Sequence, residues 1–257
     1  MQLIREVLEA RKAAFGAWCV MDNSFGAELV GRAGFDWACI DMQHGHVTSS
    51  ETLVPMLQAL NRTDTPTLVR VPWKSDSGAI MRALDAGAQG VVIPMVDTPE
   101  EAALAASACR YPPVGERSWG PMRISMEVEG YTPEAGNAIA LCLVMIETSQ
   151  GMARIDELLD VPGVDGAYVG PADLTISHGG GLNFRSDNAM LHEMAETVVE
   201  ACARHGKLAG FHANGPAEAA HWAEVGFRLV AVTADAALIR EGAQRALSEL
   251  RECLDAR

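Results

Sequence analysis

The chain is short of positive charge. It carries 20 basic residues, only three of them lysines, against 34 acidic ones, for a formal net charge of −14. That balance opposes the phosphate backbone of nucleic acids and the anionic face of membranes, so neither is an expected partner. Cysteine is thinly spread. Cys19, Cys39, Cys109, Cys142, Cys202 and Cys253 form no CxxC pair and have no histidine at the short spacing zinc needs. Cys39 and Cys142 fall inside apolar, strand-like runs, where a reduced and chemically silent thiol is expected. Long hydrophobic runs are missing too. The opening MQLIREVLEARKAAF mixes charges among its apolar residues, unlike a signal peptide, and no later segment offers about 18 uncharged apolar residues in a row. A soluble, cytoplasmic protein is expected.

What the chain does have is apolar bulk at regular spacing. Of its 257 residues 49% are hydrophobic and 21% charged, with 24 glycines. Such a composition buries a large core and is neither disordered nor fibrous. Short apolar runs rich in β-branched residues recur, each followed by a stretch with helical spacing. The runs are Ala14 to Val20, Trp37 to Met42, Thr67 to Val71, Gly90 to Val96, Leu141 to Glu147, Gly166 to Gly170, Leu208 to His212 and Leu229 to Thr233. The helical stretches are FGAELVGRAG, SSETLVPMLQALN, SGAIMRALDAGA, PEEAALAASACR, MARIDELLD, NAMLHEMAETVVEACARHG, AEAAHWAEVG and ALIREGAQRALSELRECLDA. Ser49 and Ser50 ahead of Glu51, and Thr98 ahead of Pro99, stand where helix caps belong. Strict alternation, with strands apolar on both faces, predicts one (β/α)8 barrel over residues 1–257; an open doubly wound sheet is the alternative.

One connection is long: Tyr111 to Ala140 shows no barrel element, and its PPVGERSWGPMR stretch predicts an ordered lid. Chemistry in a parallel barrel gathers at the C-terminal ends of the strands. There the sequence places Asp41, Gln43, His44 and His46 after the second strand and Arg70 at the end of the third. Glu147 ends the fifth, Asp173 follows the sixth and His212 ends the seventh. Glu147 closes the apolar run LCLVMI, where a charge is costly unless it is paired or ligates a cation. Asp173 emerges from the next strand, about 4.8 Å away in a sheet, so the two carboxylates are candidates for one Mg2+ or Mn2+ ion. Alternatively, Glu147 pairs with an arginine and Asp173 caps a helix. Arg70 suits the carboxylate of an oxo acid or a developing enolate, or else an ion pair with Asp41 or Glu147. His44 has the position and side-chain type of a general base, imidazole being the group that titrates near neutrality, although a lone loop histidine is usually surface.

These residues sit in motifs that resemble one known family. FDWACIDMQHG, LVRVPW, LDAGAQGVVIPMV, YPPVGERSWGP, MIET and VDGAYVGPADL occur in the order and spacing of the HpcH/HpaI aldolases, metal-dependent pyruvate aldolases of the phosphoenolpyruvate/pyruvate barrel superfamily. The likeness covers almost the entire chain. It implies that Glu147 and Asp173 ligate the metal, that Gly170, Pro171 and Ala172 help hold the oxo-acid carboxylate, and that Arg70 stabilises the enolate. It implies His44 as acid/base, tuned by Asp41 and by Asp85, the latter from the same or a neighbouring subunit. Trp18, Gln43, Arg117 and His212 complete the expected substrate site. Gln43 stands where the family often has Glu, His46 is extra, and Trp119 is bulky for its loop, so the aldehyde preference is open.

The reaction implied is reversible addition of pyruvate or hydroxypyruvate to an aldehyde, giving a 4-hydroxy-2-oxo acid, with Mg2+, Mn2+ or Co2+ bound. A homo-oligomer built from dimers, up to a hexamer, is expected, using the amphipathic terminal helix at about 236–256. A Schiff-base aldolase would need a desolvated lysine at a strand end, and only Lys74, just past the third strand, is near one. An enzyme for phosphorylated substrates would need a glycine-rich cradle, which HANGPAE and TADAAL after the last two strands lack. A related acyl-CoA lyase and a non-catalytic binding protein stay open on the same fold.

Overall fold

A computed structural model describes residues 2–256, and its eight parallel strands close into a barrel in chain order, the first pairing with the last. The strands are β1 (Ala14–Cys19), β2 (Trp37–Asp41), β3 (Thr67–Arg70), β4 (Gly90–Ile93), β5 (Leu141–Ile146), β6 (Gly166–Val169), β7 (Leu208–His212) and β8 (Leu229–Ala234). The helices are α1 (Ile4–Ala10), α2 (Ser24–Arg32), α3 (Ser50–Asn61), α4 (Ser77–Asp85), α5 (Pro99–Cys109), α6 (Ile124–Glu127) and α7 (Pro133–Ile139). They continue with α8 (Ser149–Ala153), α9 (Ile155–Asp160), α10 (Pro171–Ser177), α11 (Ala189–Arg204), α12 (Pro216–Val225) and α13 (Asp235–Asp255).

All eight expected strands are present, and six end one to three residues before the apolar run does. The largest shortfall is at β4. Pro94 follows it, and Met95 then takes a left-handed φ of 56°, which turns the chain out of the ladder. Along each strand alternate residues face opposite ways. Trp18, Cys39, Leu68, Val92, Leu143, Met145 and Tyr168 fill the barrel interior. Cys19, Ile40, Val69, Val91, Val144 and Val169 pack under the helices. A Cβ at Gly16 would overlap the Trp37 indole, so that close approach requires glycine.

Helix α1 is additional to the eight expected helical stretches and precedes the first strand. Its Ile4, Val7 and Leu8 lie at helical spacing and join the interior cluster, closing the N-terminal end of the barrel. Polar ties fix this floor. The Gln89 side chain accepts from the Ile4 N–H at 2.7 Å and donates to the Gln2 carbonyl at 2.7 Å. Asp165 accepts from Arg5 at 2.8 Å, from Arg110 at 2.6 Å and from the Cys142 N–H at 2.8 Å.

The long connection corrects the lid expectation. It leaves α5 and enters β5 at the floor end, because a helix of this fold runs back from the mouth, and it folds into α6 and α7. It is ordered, but it packs around the C-terminal end of α4. There Arg117 donates to Asp85 at 2.7 Å and lies over the Tyr111 ring at 4.4 Å, while Arg123 donates to the Ala86 carbonyl at 2.6 Å. The expected MARIDELLD helix is broken at Arg154 into α8 and α9. Thr98 caps α5 as expected, and Glu101 completes a capping box with it, whereas Ser49 precedes α3 without a side-chain cap bond.

Helix α13 leaves the barrel. Asp235, at its start, is buried and accepts from the backbone N–H groups of Val20 and Met21. From Leu238 onward every described residue is exposed, including Ile239, Leu247, Leu250 and Leu254. Phe25 and Leu29 on α2 are exposed as well, so apolar surface is open on both the helix and the barrel wall.

Candidate active site

The period of two that fills the interior also delivers the site. Two residues beyond the interior positions Cys39, Leu68, Met145, Tyr168 and Gly210 come Asp41, Arg70, Glu147, Gly170 and His212, all one layer nearer the mouth. A cavity of about 330 Å3 opens there, and His44, Arg70, Glu147, Gly170, Pro171, Ala172, Asp173 and His212 line it, as the sequence predicts. Met145, Phe184 and Asn214 line it too and were missed. Asn214 carried a usable signal, standing two residues past His212 at the same strand end. Phe184, in the glycine-rich loop after α10, carried none.

Asp41 and Arg70 are neighbours in the β2–β3 register. The guanidinium donates through Nε at 2.8 Å and Nη2 at 2.6 Å to the two Asp41 oxygens, so of the two carboxylates considered as its ion-pair partner it is Asp41 that holds it. Asp41 also accepts from the backbone N–H groups of Gln43 and His44, at 3.0 and 3.3 Å. Burial pushes its carboxyl up, but the Arg70 hydrogen bonds and charge and these two N–H groups outweigh it, and the group sits below its ordinary range. Asp41 thus fixes both Arg70 and the turn that presents His44.

Trp18 lies beneath this wall, 1% exposed, with the Arg70 guanidinium 4.5 Å over its ring and the His212 ring edge-on at 4.6 Å. It supports the site from below; the expectation of direct substrate contact does not hold. Gln43 is half-buried off the wall, its Oε1 without a hydrogen-bond partner. Two further expectations fail within one subunit. Arg117 is 2% exposed and committed to Asp85 at the opposite end of the barrel, since α4 and α5 both run away from the mouth. For the same reason Asp85 does not reach the His44 of its own chain.

Glu147 is 2% exposed. Its Oε1 accepts from the Met95 N–H at 2.6 Å, a donor aimed by the left-handed turn at that residue. Its Oε2 lies against Gly170, where a Cβ would overlap it. Among the described residues no lysine or arginine forms an ion pair with it. Burial first, then the charges of Asp173 and Asp97, against the Met95 hydrogen bond and the more distant charge of Arg70, push it up to about 7. Asp173 comes from the first turn of α10. Two carboxylates facing one cavity suit a hard divalent ion that keeps positions open for water and substrate. Among the described residues no cluster of three or more His, Cys, Asp or Glu side chains is gathered for a metal, so these two carboxylates are the donor set on offer.

Lys74 is unsuited to a Schiff base. Its ammonium meets Asp97 at 2.8 Å and Glu101 at 2.7 Å, and although burial lowers its pKa, these carboxylates outweigh burial and raise it. Cys39 and Cys142 are fully buried, with thiols pushed well above their usual range by burial and, for Cys142, foremost by Cys109.

Residues 14–241 match the family model described as HpcH/HpaI aldolase/citrate lyase. The chain belongs to this family. It is 35% identical over 246 residues to the 4-hydroxy-2-oxo-heptane-1,7-dioate aldolase of Klebsiella pneumoniae, covering 93% of this chain and 90% of that one. Among solved structures it resembles an HpcH/HpaI aldolase/citrate lyase family protein of Burkholderia cenocepacia (30% identity, TM-score 0.87, 96% of this chain and 98% of that one). An HpcH/HpaI aldolase of Desulfitobacterium hafniense matches at 25% identity and a TM-score of 0.88 over 98% of each chain. The resemblance read from the motifs, the barrel and the aldolase activity class are borne out together.

Proposed function

We propose that this aldolase is of the divalent-metal type and joins C3 of pyruvate or hydroxypyruvate to an aldehyde, and that Glu147 and Asp173 hold the ion. The observation that carries this reading is Glu147 itself, a buried carboxyl that burial pushes up to about 7, facing the cavity beside a second carboxylate and bonded to no basic side chain among the described residues. A bound Mg2+, Mn2+ or Co2+ supplies the positive charge that acidifies the C3 protons of an oxo acid held there. The chain's own groups do the rest. The backbone from Gly170 to Ala172 cradles the carboxylate. Arg70, with Nε and Nη2 closed onto Asp41, keeps Nη1 for the keto oxygen as negative charge grows on it. His44 takes the C3 proton; C3 then bonds to the aldehyde carbon, whose oxygen gains a proton to become the 4-hydroxyl. In cleavage the 4-hydroxyl gives up its proton, the C3–C4 bond breaks, and C3 regains a proton. Calorimetric titration of EDTA-treated protein with Mn2+ should show one site per chain, and the same treatment should abolish pyruvate release from 4-hydroxy-2-oxo acids until ion is returned. Full turnover in excess EDTA would refute the assignment.

The same reading makes the protein a homo-oligomer built from dimers, α13 of one copy covering the open wall by α2 of another. The exposed Leu238, Ile239, Leu247, Leu250 and Leu254 support it, as does the exposed Phe25 and Leu29 pair. The chain's own Asp85 lies at the opposite end of the barrel, so the role that the resemblance implies for this residue would fall to a neighbouring copy. Light scattering at micromolar concentration should give at least twice the mass of 27.4 kDa; a monomer there would rule the assembly out.

A further inference from the structure

At the floor of the barrel, the end away from the cavity, cations gather on one wall. Arg5 on α1, Lys207 just ahead of β7 and Arg228 just ahead of β8 line a cleft of about 300 Å3, together with the carboxylates of Glu9 and Asp165. The chain as a whole is strongly acidic, so this concentration is local and runs against the overall charge.

Two of these cations have no counter-charge. Among the described residues Lys207 donates through Nζ to the Val164 carbonyl at 2.6 Å, Arg228 donates through Nη2 to the carbonyls of Leu8 and Arg11, and neither forms an ion pair. Both are half-buried, so part of their hydration is lost and no carboxylate replaces it. Asp165 is already shared. Its Oδ1 accepts from Arg5 at 2.8 Å, and its Oδ2 accepts from Arg110 at 2.6 Å and from the Cys142 N–H at 2.8 Å. Donors are in surplus around it, since Arg5 Nε and Arg110 Nη1 are buried without a hydrogen-bond partner. Glu9 is exposed on α1 and stands apart from these bonds.

We propose that this cleft binds a phosphate group, free or carried by a small metabolite, between Lys207, Arg228 and Arg5. Arg228 keeps Nε and Nη1 for it, and the Lys207 ammonium keeps two of its three protons. The three side chains come from three separate elements. Donors converging from several directions suit a tetrahedral oxyanion better than a planar carboxylate, which a single guanidinium fork already satisfies. Bound there, the anion supplies the missing counter-charge and ties α1 to the starts of β7 and β8. The site owes nothing to the divalent ion or to the aldol chemistry, which lie at the other end of the barrel.

The test is calorimetric titration of the protein with inorganic phosphate and, separately, with glycerol 3-phosphate, alongside the melting temperature in each. Binding at the cleft should raise Tm in a saturable way. Tighter binding of the ester assigns the site to a phosphorylated metabolite, and tighter binding of the inorganic ion assigns it to free phosphate. Lys207→Gln should weaken binding by about tenfold, the loss of one charge-assisted hydrogen bond. Glu9→Gln, which removes a repelling carboxylate from the same wall, should strengthen it by about twofold. These opposite signs separate a binding site from a general change in folding, and both variants should cleave 4-hydroxy-2-oxo acids at the wild-type rate. No binding of either probe at millimolar concentration would overturn the proposal. So would an affinity that both substitutions leave unchanged, which would put the anion at Arg70 in the mouth instead.

Discussion

Replacing Glu147 by Gln should raise the melting temperature of the metal-free protein at pH 8 while reducing turnover by a factor on the order of 10³ or more. The two effects have one cause. In the unfolded chain the carboxyl titrates near its model value of 4.5, but in the fold it holds its proton up to about pH 7. Between those values folding takes up a proton, so stability falls as pH rises, and above pH 7 the full cost of a buried, uncompensated charge persists. At 1.36 kcal/mol per unit that cost is about 3 kcal/mol. Glutamine keeps an Oε1 for the Met95 N–H and carries no charge, so the variant should gain several degrees at pH 8 and converge with wild type near pH 4. Added Mn2+ should stabilise the wild type and leave the variant unmoved. Scanning calorimetry in EDTA at the two pH values decides it: equal or lower stability of the variant at pH 8 would mean that the charge is already compensated within the chain, and the case for an ion would go.

His44→Ala should slow deuterium exchange into pyruvate and cleavage of the aldol together, by roughly 10²- to 10⁴-fold, with the KM for pyruvate near that of wild type. Two histidines line the cavity, and they are not equivalent. His212 stays neutral down to about pH 4, which leaves it a poor proton acceptor at working pH. His44 is exposed at the mouth on a turn pinned by Asp41, and His46 lies off the wall. In the proposed site pyruvate is held by Arg70 and the backbone after Gly170, so its binding should survive the loss of the imidazole. Exchange at the wild-type rate in His44→Ala would place the proton carrier elsewhere.

The barrel and most of its mouth were legible because one rule, alternation along a strand, governs both. Asp41, Arg70, Glu147 and His212 each end an apolar run, and such a residue in a parallel barrel faces inward at the rim. What the sequence hid depends on direction and handedness. The run from Tyr111 to Ala140 has the composition of a lid, but composition does not say at which end of the barrel a connection lies; its place between a helix and the following strand does, and that puts Arg117 and Asp85 at the floor. Met95 gave no warning either, since a left-handed methionine has no signature comparable to glycine, yet it aims the N–H that leaves one Glu147 oxygen free. Trp18 lies two residues before the end of its apolar run and pairs in register with Cys39, which puts it in the interior layer below the rim.

The sealed floor governs traffic through the site. With α1 and the Asp165 cluster closing one end of the barrel, both fragments of a cleaved aldol must leave by the same door. In the function proposed above the oxo-acid half is held at Glu147 and Gly170 by the strand ends, and the aldehyde half lies beyond it, toward Phe184 and Asn214 on the loops. That arrangement would order departure, aldehyde first and oxo acid last, and synthesis would load in the reverse order. A deep fragment that lingers holds the door for the next aldehyde, so the same geometry that makes cleavage sequential also favours the joining reaction whenever the oxo acid is abundant.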